Sequence, residues 1–311
     1  MKKWLRRIVQ GILLMVMAFS IVEIGSYLWA RQHSNSQLSR INKQLSDLAV
    51  PTAFSTGASG SKQEELVDYT ALMKRLKEMN KDTVAYLTIF GSENRYPVLQ
   101  AKDNDYYLRR GIDEEYSIQG IPFMDFQNKP DLSDQNTVLY GHMMYYGDEM
   151  FGILKHFLDQ SYTDKSEKRF TLTNEKGVYT YRIFSIRQPL ATDPYRYPNL
   201  EEEKFLANLQ QALTQSETNF HFDSALSAKD HVVTLSTCTA NQDDEKRIAV
   251  VGVLEKIQTK ERTITREEVI DKQGKGSWEK TGMFPVPQTD ASSASEGTNA
   301  EDNEAGKGET E

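Results

Sequence analysis

Seven short segments rich in β-branched and aromatic residues occupy most of the chain between residues 84 and 257. They cover residues 84–90, 96–100, 137–142, 170–174, 178–190, 231–238 and 247–257. Only residues 149–158 and 201–215, which lie between these segments, have a composition and spacing typical of a helix. Many short strands with few helices favour a closed or nearly closed β-barrel. The sequence therefore predicts a mainly β domain.

The N-terminus carries basic residues followed by a long apolar stretch. Four lysines and arginines within the first seven residues precede residues 8–30, which are numerous enough to cross a hydrocarbon core of about 30 Å as a helix. The positive-inside rule then places residues 1–7 in the cytoplasm and the rest of the chain outside. A cleaved signal peptide is the alternative, but its apolar core is usually only about 7–15 residues long. We therefore predict an uncleaved single-pass anchor in the cell membrane, with an extracellular domain.

Two segments connect the anchor to the β-rich region. Residues 34–50 have leucine and isoleucine at helical spacing, which predicts a short amphipathic helix. We interpret residues 31–61 as an extracellular stalk and linker that contains this helix. A second helix is predicted over residues 62–80, at the start of an ordered domain that covers residues 62–260.

The acidic charge of the chain is concentrated at its C-terminal end. The formal net charge is −8, and seven acids but only one base follow Pro285. Residues 261–311 are predicted to be a low-complexity tail, which is acidic and disordered from about residue 285 because it has too few apolar residues to fold. The remainder of the chain is nearly neutral. A nucleic-acid partner would need a clustered basic face, so we predict none.

Metal-binding patterns are absent from the sequence. It contains no pair of cysteines two residues apart, no pair of histidines separated by one residue and no His-Glu-x-x-His motif. We interpret His33, His156, His221 and His231 as surface or packing residues. We therefore predict no metal site and no cofactor.

Three polar residues stand at the ends of predicted strands. Cys238, the only cysteine, ends the sixth segment, Arg247 begins the seventh, and His142 ends the third. Taken singly, each is more often a packing or surface residue. Together they suggest acyl transfer, because a thiol is a strong nucleophile, an imidazole can protonate a leaving amine, and a guanidinium can stabilise an oxyanion. Strand ends hold such groups in place while the adjoining loops give access.

The segments around these three residues carry a family resemblance. They are Asn136-Thr137-Val138-Leu139-Tyr140-Gly141-His142, Thr234-Leu235-Ser236-Thr237-Cys238 and Arg247-Ile248-Ala249-Val250-Val251. In this order, behind an N-terminal anchor, they resemble the sortases. Further stretches over residues 82–89, 96–100 and 120–126 are similar to class B members. The resemblance covers about residues 62–258.

The resemblance implies a membrane-anchored cysteine transpeptidase. Its fold would be an eight-stranded sortase barrel with an N-terminal helix and an extra helix, residues 201–215, in the loop before the penultimate strands. Cys238 would attack the threonine carbonyl of a C-terminal sorting motif on an exported protein and form a thioester. His142 would protonate the departing amine, and Arg247 would stabilise the oxyanion. An amine from a peptidoglycan cross-bridge or a pilin lysine would then release the acyl group.

The resemblance also implies a substrate groove. Its residues would be Asn104, Leu108, Tyr140, Tyr195 and Ser236. For Tyr195 the alternative is a solvated aromatic residue in a loop. Ala240 stands where some class B members carry an aspartate, so no carboxylate is expected there to orient His142.

Other functions remain open at this point. An exported thiol peptidase, such as a peptidoglycan hydrolase, could use the same residue types, although such enzymes usually place the cysteine at a helix N-terminus ahead of the histidine. A non-catalytic surface barrel that serves binding is the third possibility, and alkylation of Cys238 would then leave its function unchanged. Within the sortases, the sequence does not separate wall anchoring from pilus polymerisation.

Overall fold

The computed structural model describes residues 3–45, 68–89, 95–144, 147–238 and 245–272. Four predicted features lie wholly or partly outside these residues: the linker, the start of the helix predicted from residue 62, the connection that contains Ala240, and the acidic tail.

Eight strands close into a mixed β-barrel. They are β1 (Thr83–Ile89), β2 (Arg95–Leu99), β3 (Phe123–Met124), β4 (Asn136–Tyr140), β5 (Arg169–Asn174), β6 (Gly177–Arg187), β7 (Val232–Cys238) and β8 (Arg247–Gln258). Their order is β6-β5-β1-β2-β3-β4-β7-β8, and β6 also pairs with β8, which closes the ring. The β2–β3 and β4–β7 pairs are parallel. The predicted eight-stranded fold is confirmed.

Alternation along the strands separates an inner from an outer face of the barrel. Leu139 of β4, Leu235 of β7 and Ile248 of β8 belong to one buried cluster, which fills the interior. Because successive side chains of a strand point to opposite faces, the residues next to these three point outward. The outer face of β6, β7 and β8 is covered by helix α4, as described below.

Before β8, the described residues also form four α-helices. They are α1 (Lys3–Gln44), α2 (Tyr69–Met79), α3 (Gln160–Lys165) and α4 (Glu202–Thr214). Phe205 and Leu209 of α4 pack on Val251 and Val253 of β8, as the amphipathic pattern of residues 201–215 predicts. The other predicted helical stretch forms a 3₁₀ helix, Phe151–Leu158, which is followed directly by α3.

Helix α1 joins the apolar N-terminal segment to the barrel without interruption. It is long and apolar enough to cross a membrane. Beyond residue 30 it packs on the domain, where Ile41 is buried in a cluster with Leu72 of α2 and Tyr86 of β1. Arg31 also forms an ion pair with Glu149, at 2.7 Å. The interpretation of residues 31–45 as part of a free stalk therefore needs correction.

Ordered structure continues beyond residue 260, the predicted end of the domain. Strand β9 (Thr263–Thr265) pairs with β8, and helix α5 (Arg266–Lys272) follows it. Ile264 and Val269 belong to the buried cluster that fills the barrel. These residues therefore extend the domain to at least Lys272. The two apolar residues did not stand out in the sequence because the segment around them has mixed charge.

We predict that Arg266→Ala lowers the free energy of unfolding by about 3 kcal/mol. Arg266 donates to both carboxylate oxygens of Asp230, each at 2.7 Å, and the Asp230 side chain is only 1% exposed. Removing the arginine would leave a buried charge without its partner, which is strongly destabilising. Urea denaturation would measure the change.

Arg262→Ala is the matched control, because Arg262 pairs with Glu268 on the exposed surface of the same segment. Such a pair contributes about 0.5 kcal/mol. Equal effects of the two substitutions would contradict the structural role given to Arg266.

Candidate active site

The ends of β4, β7 and β8 bring the three candidate catalytic residues to one edge of the barrel. Cys238 lies opposite Arg247 in the antiparallel β7–β8 pair. Tyr140 lies beside Ser236 in the parallel β4–β7 pair, and the Gly141 amide donates to the Ser236 carbonyl at 3.2 Å. This bond continues the ladder toward His142. Strand pairing thus brings together three residues that are far apart in the sequence.

The same strands point the candidate side chains outward. Leu235 and Ile248 face the barrel interior, so Ser236, Cys238 and Arg247 face the other way. Cys238 is exposed to solvent, which makes its thiol accessible to a substrate. A buried, inert cysteine is therefore excluded.

Arg247 is held at the start of β8. Its backbone amide donates to the Pro189 carbonyl at 2.9 Å, and its Nη1 donates to the Lys246 carbonyl at 2.8 Å. Directly opposed residues of an antiparallel pair have Cα atoms about 4.5–5.5 Å apart. The guanidinium of Arg247 therefore starts from a backbone position adjacent to that of the thiol.

His142 is oriented by a backbone carbonyl. Its Nε2–H donates to the Leu108 oxygen at 2.8 Å. Since a carbonyl can only accept, this bond places the proton of the neutral imidazole on Nε2 and the lone pair on Nδ1. Only a glycine fits beside the Leu108 carbonyl. Gly120 has a φ of +59°, and a Cβ at this position would lie 2.5 Å from the Leu108 oxygen.

The pKa of His142 is lowered from its ordinary value. Burial is the largest cause, and the positive charge of Arg109 adds to it, whereas the hydrogen bond to Leu108 opposes both. A lowered pKa keeps the imidazole neutral at neutral pH. In that state Nδ1 can accept a proton from a thiol.

We expect Arg109→Gln to raise the pKa of His142, because one of the two causes that lower it is removed. The pKa should stay below the ordinary value, since burial remains. NMR titrations of the His142 imidazole in the unaltered chain and in Arg109→Gln would measure the two pKa values. Arg110→Gln is the matched control, because the Arg110 guanidinium stacks on the Tyr106 ring at 4.3 Å and does not act on His142. An equal shift in both variants would contradict this assignment.

Tyr195 and Ser236, two of the predicted groove residues, contact each other. The Tyr195 hydroxyl lies 3.0 Å from Ser236 Oγ, and the Tyr195 side chain is buried. Burial raises the pKa of Tyr195, although Ser236 and the charge of Arg247 partly offset this. The alternative of a solvated loop aromatic is therefore wrong. Tyr195 links the 3₁₀ turn Pro194–Arg196 to the end of β7.

Asp125 contacts two further predicted groove residues and was not singled out from the sequence. Its Oδ2 accepts hydrogen bonds from the Tyr140 hydroxyl at 2.8 Å and from Asn104 Nδ2 at 3.1 Å. The Asp125 carboxylate is buried. It thus ties together two of the five predicted groove residues. The only sequence signal was its place at the end of the apolar stretch 120–124, which contains β3.

The contacts place the eight predicted site residues in three groups at neighbouring strand ends. Leu108 contacts His142, Asn104 and Tyr140 share Asp125, and Tyr140 lies beside Ser236, which in turn contacts Tyr195. Cys238 and Arg247 continue the same strands. Ala240 lies outside the described residues, so its place relative to His142 is not defined. Among the residues described, no three histidine, cysteine or acidic side chains are grouped in a way that could hold a metal.

The chain is similar to proteins of one family. A model of the sortase domain matches residues 87–255. Sortase B of Listeria monocytogenes serovar 1/2a is 31% identical over 256 residues, which cover 81% of this chain and 98% of that protein.

Solved structures are also similar. A Staphylococcus aureus sortase B–substrate complex has a TM-score of 0.57 at 29% identity and covers 72% of this chain and 95% of its own. A sortase B complexed with triglycine has a TM-score of 0.59 at 27% identity, with coverage of 72% and 96%.

Proposed function

Because the chain belongs to the sortase family of cysteine transpeptidases, we propose that it is a class B sortase in which Cys238 is the nucleophile. One observation carries the assignment of the residues. Strand pairing sets an exposed thiol opposite Arg247, at the barrel edge where β4 delivers His142. The class is supported by relatives called sortase B and by helix α4 between β6 and β7.

The proposed reaction has two acyl transfers. The Cys238 sulfur attacks the threonine carbonyl of a sorting motif while its proton passes to His142. Collapse of the tetrahedral intermediate breaks the peptide bond, and His142 returns the proton to the departing amine. Attack by a second amine on the thioester forms the new amide, and the proton that this amine loses restores the thiol. Arg247 stabilises the oxyanion in both halves of the reaction.

The proposed setting is the outer face of the cell membrane. The basic residues ahead of the apolar part of α1 support a cytoplasmic N-terminus and an extracellular barrel. Exported proteins with a C-terminal sorting motif would be the acyl donors. The acceptor would be an amine of a peptidoglycan cross-bridge or of a pilin lysine, and the complex of a relative with triglycine supports testing oligoglycine first.

The experiment is a transpeptidation assay with the full chain in detergent. Fluorescent sorting-motif peptides would be incubated with and without triglycine or lysine-bearing peptides. We expect a ligated product that requires both the motif and the amine, with slow hydrolysis when the amine is omitted. Hydrolysis that no amine diverts into ligated product would favour the thiol peptidase instead.

We expect Asp125→Asn to raise KM for the donor peptide about tenfold, with a smaller effect on kcat. The carboxylate only accepts: Oδ2 binds Asn104 and Tyr140, and Oδ1 binds the Gln127 amide at 2.9 Å. An amide would turn its NH₂ group toward the donors on one of these two oxygens and weaken the support of the groove residues. The loss of one charge-assisted bond is worth about 1.5 kcal/mol, which corresponds to about tenfold. Steady-state kinetics would measure it. Asp105→Asn, at an exposed position beside Asn104, is the control, and equal KM values in the two variants would contradict the positioning role of Asp125.

A further inference from the structure

A cavity of about 520 Å³ is lined in part by Tyr195, one of the predicted groove residues. Its lining includes Arg187, Asp193, Tyr195, Asn208, Glu217 and Lys246. Ala249 of β8 pairs with Ser236 on one side and with Arg187 of β6 on the other. Directly paired residues share a face of the sheet, so the Arg187 side chain lies on the same outer face as the candidate site. Two strand spacings, about 10 Å, separate the backbones of Ser236 and Arg187.

Arg187 is buried without a bonded anion. Its side chain is 9% exposed, and Nη2 donates to Asn208 Oδ1 at 3.2 Å. The Nε–H group has no hydrogen-bond partner among the described residues. No carboxylate in the described parts of the chain forms an ion pair with this guanidinium, in contrast to Arg169 and Arg266.

The two acids in the cavity wall are engaged elsewhere. Asp193 Oδ2 accepts from the Leu190 amide at 2.8 Å, and Glu217 Oε1 accepts from Gln188 Nε2 at 3.4 Å. Burial lowers the pKa of Arg187, and the nearby charge of Asp193 opposes this. An arginine remains charged in proteins. A buried cation whose enclosed Nε–H group has no partner among the described residues is costly unless an anion neutralises it.

We propose that this cavity is a subsite for a carboxylate group carried by one of the two substrates, with Arg187 as the residue that binds it. Two N–H groups of a guanidinium match the two oxygens of a carboxylate. A singly charged carboxylate fits better than a phosphate dianion, because Asp193 and Glu217 add negative charge to the wall. The inference rests on the proposed function.

The distance suits a group on either substrate. Lys246, which lines the cavity, precedes Arg247, which lies opposite Cys238. An extended peptide spans about 3.3–3.6 Å per residue, so two or three residues reach from the thioester into the cavity. A donor peptide and an acceptor amine could each place a carboxylate there.

Direct binding is tested on the full chain in detergent, by NMR of the arginine Nε–H groups. N-acetylglycine supplies a peptide-like carboxylate, and N-acetylglycinamide is its uncharged match. We expect N-acetylglycine to shift the Arg187 Nε–H resonance in a saturable way, while Arg182, which pairs with Asp223 on the surface, stays unchanged. The absence of a shift, or an equal shift with the amide, would overturn the proposal.

The kinetic arms identify the substrate. On the acceptor side, triglycine is compared with triglycinamide; on the donor side, sorting-motif peptides with glutamate or glutamine ahead of the motif are compared. We expect one pair to show a KM about tenfold lower for the carboxylate form, the size of one charge-assisted bond. This ratio should fall toward one in Arg187→Lys, whose point charge lacks the fork. Asn208→Ala is a second variant, and it should reduce the ratio in part because it removes a hydrogen bond that orients Arg187.

The two hypotheses can fail separately. If a thioester forms on Cys238 but neither pair of substrates shows a carboxylate preference, the subsite is wrong and the sortase assignment stands. If no thioester forms while N-acetylglycine still shifts Arg187, the cavity binds a carboxylate that serves some other activity.

Discussion

Replacing Cys238 with alanine should abolish transpeptidation and hydrolysis alike. The thiol is the only cysteine sulfur in the chain, and it is exposed at the end of β7. No other described side chain at this edge could take over the covalent step with comparable reactivity. Loss of a covalent nucleophile costs on the order of 10⁶ in kcat in an acyl-transfer enzyme. Turnover of the fluorescent peptide should therefore fall below detection.

Stability should survive the same change. An exposed side chain at a strand end packs little, so the free energy of unfolding should change by about 0.5 kcal/mol or less. Urea denaturation of Cys238→Ala beside the unaltered chain would measure this. Residual turnover in a folded Cys238→Ala protein would remove the thioester from the mechanism.

Arg247→Lys should lower kcat about 10²- to 10³-fold, the range seen when one oxyanion donor is lost. The substitution keeps the charge, but a lysine ammonium is a point charge and cannot reproduce the planar fork of the guanidinium. The backbone bond from residue 247 to Pro189 is unaffected by the side chain, so β8 should keep its register. The kcat for the ligation reaction is the relevant measurement.

Arg182→Lys is the matched control for this effect. Arg182 lies on β6 and pairs with Asp223 at the surface, away from the candidate groove. It should leave kcat unchanged. A near-normal rate in Arg247→Lys would mean that the arginine does something other than stabilise the oxyanion.

The barrel was largely predictable because its strands are long enough to show their character locally. All seven predicted segments contain a strand. One barrel strand, β3, was not predicted. Its two residues pair with β2 and β4 but are too few to form a pattern. Strand β9 and helix α5 were missed because two apolar residues, Ile264 and Val269, do not stand out in a charged segment.

The site was predictable only in part, since its parts come from distant segments. The strand-end pattern pointed to Cys238, His142 and Arg247, and the resemblance added the five groove residues, but neither revealed which contacts these residues make. Asp125 and Arg187 become candidates only when burial and partners are known, because an isolated charged residue at a strand end is usually a surface residue. The packing of α1 on the barrel could not be predicted for a similar reason. An apolar helix face indicates that the helix packs on something, but it does not identify the partner.

Mass spectrometry of the intact protein, quenched in acid after mixing with a sorting-motif peptide, tests the central assignment most directly. We expect a species heavier by the acyl fragment up to the threonine of the motif, attached to Cys238 and released by hydroxylamine or by an acceptor amine. The same species should be absent from Cys238→Ala. An acyl adduct on another residue, or ligated product formed with no adduct on Cys238, would contradict the account.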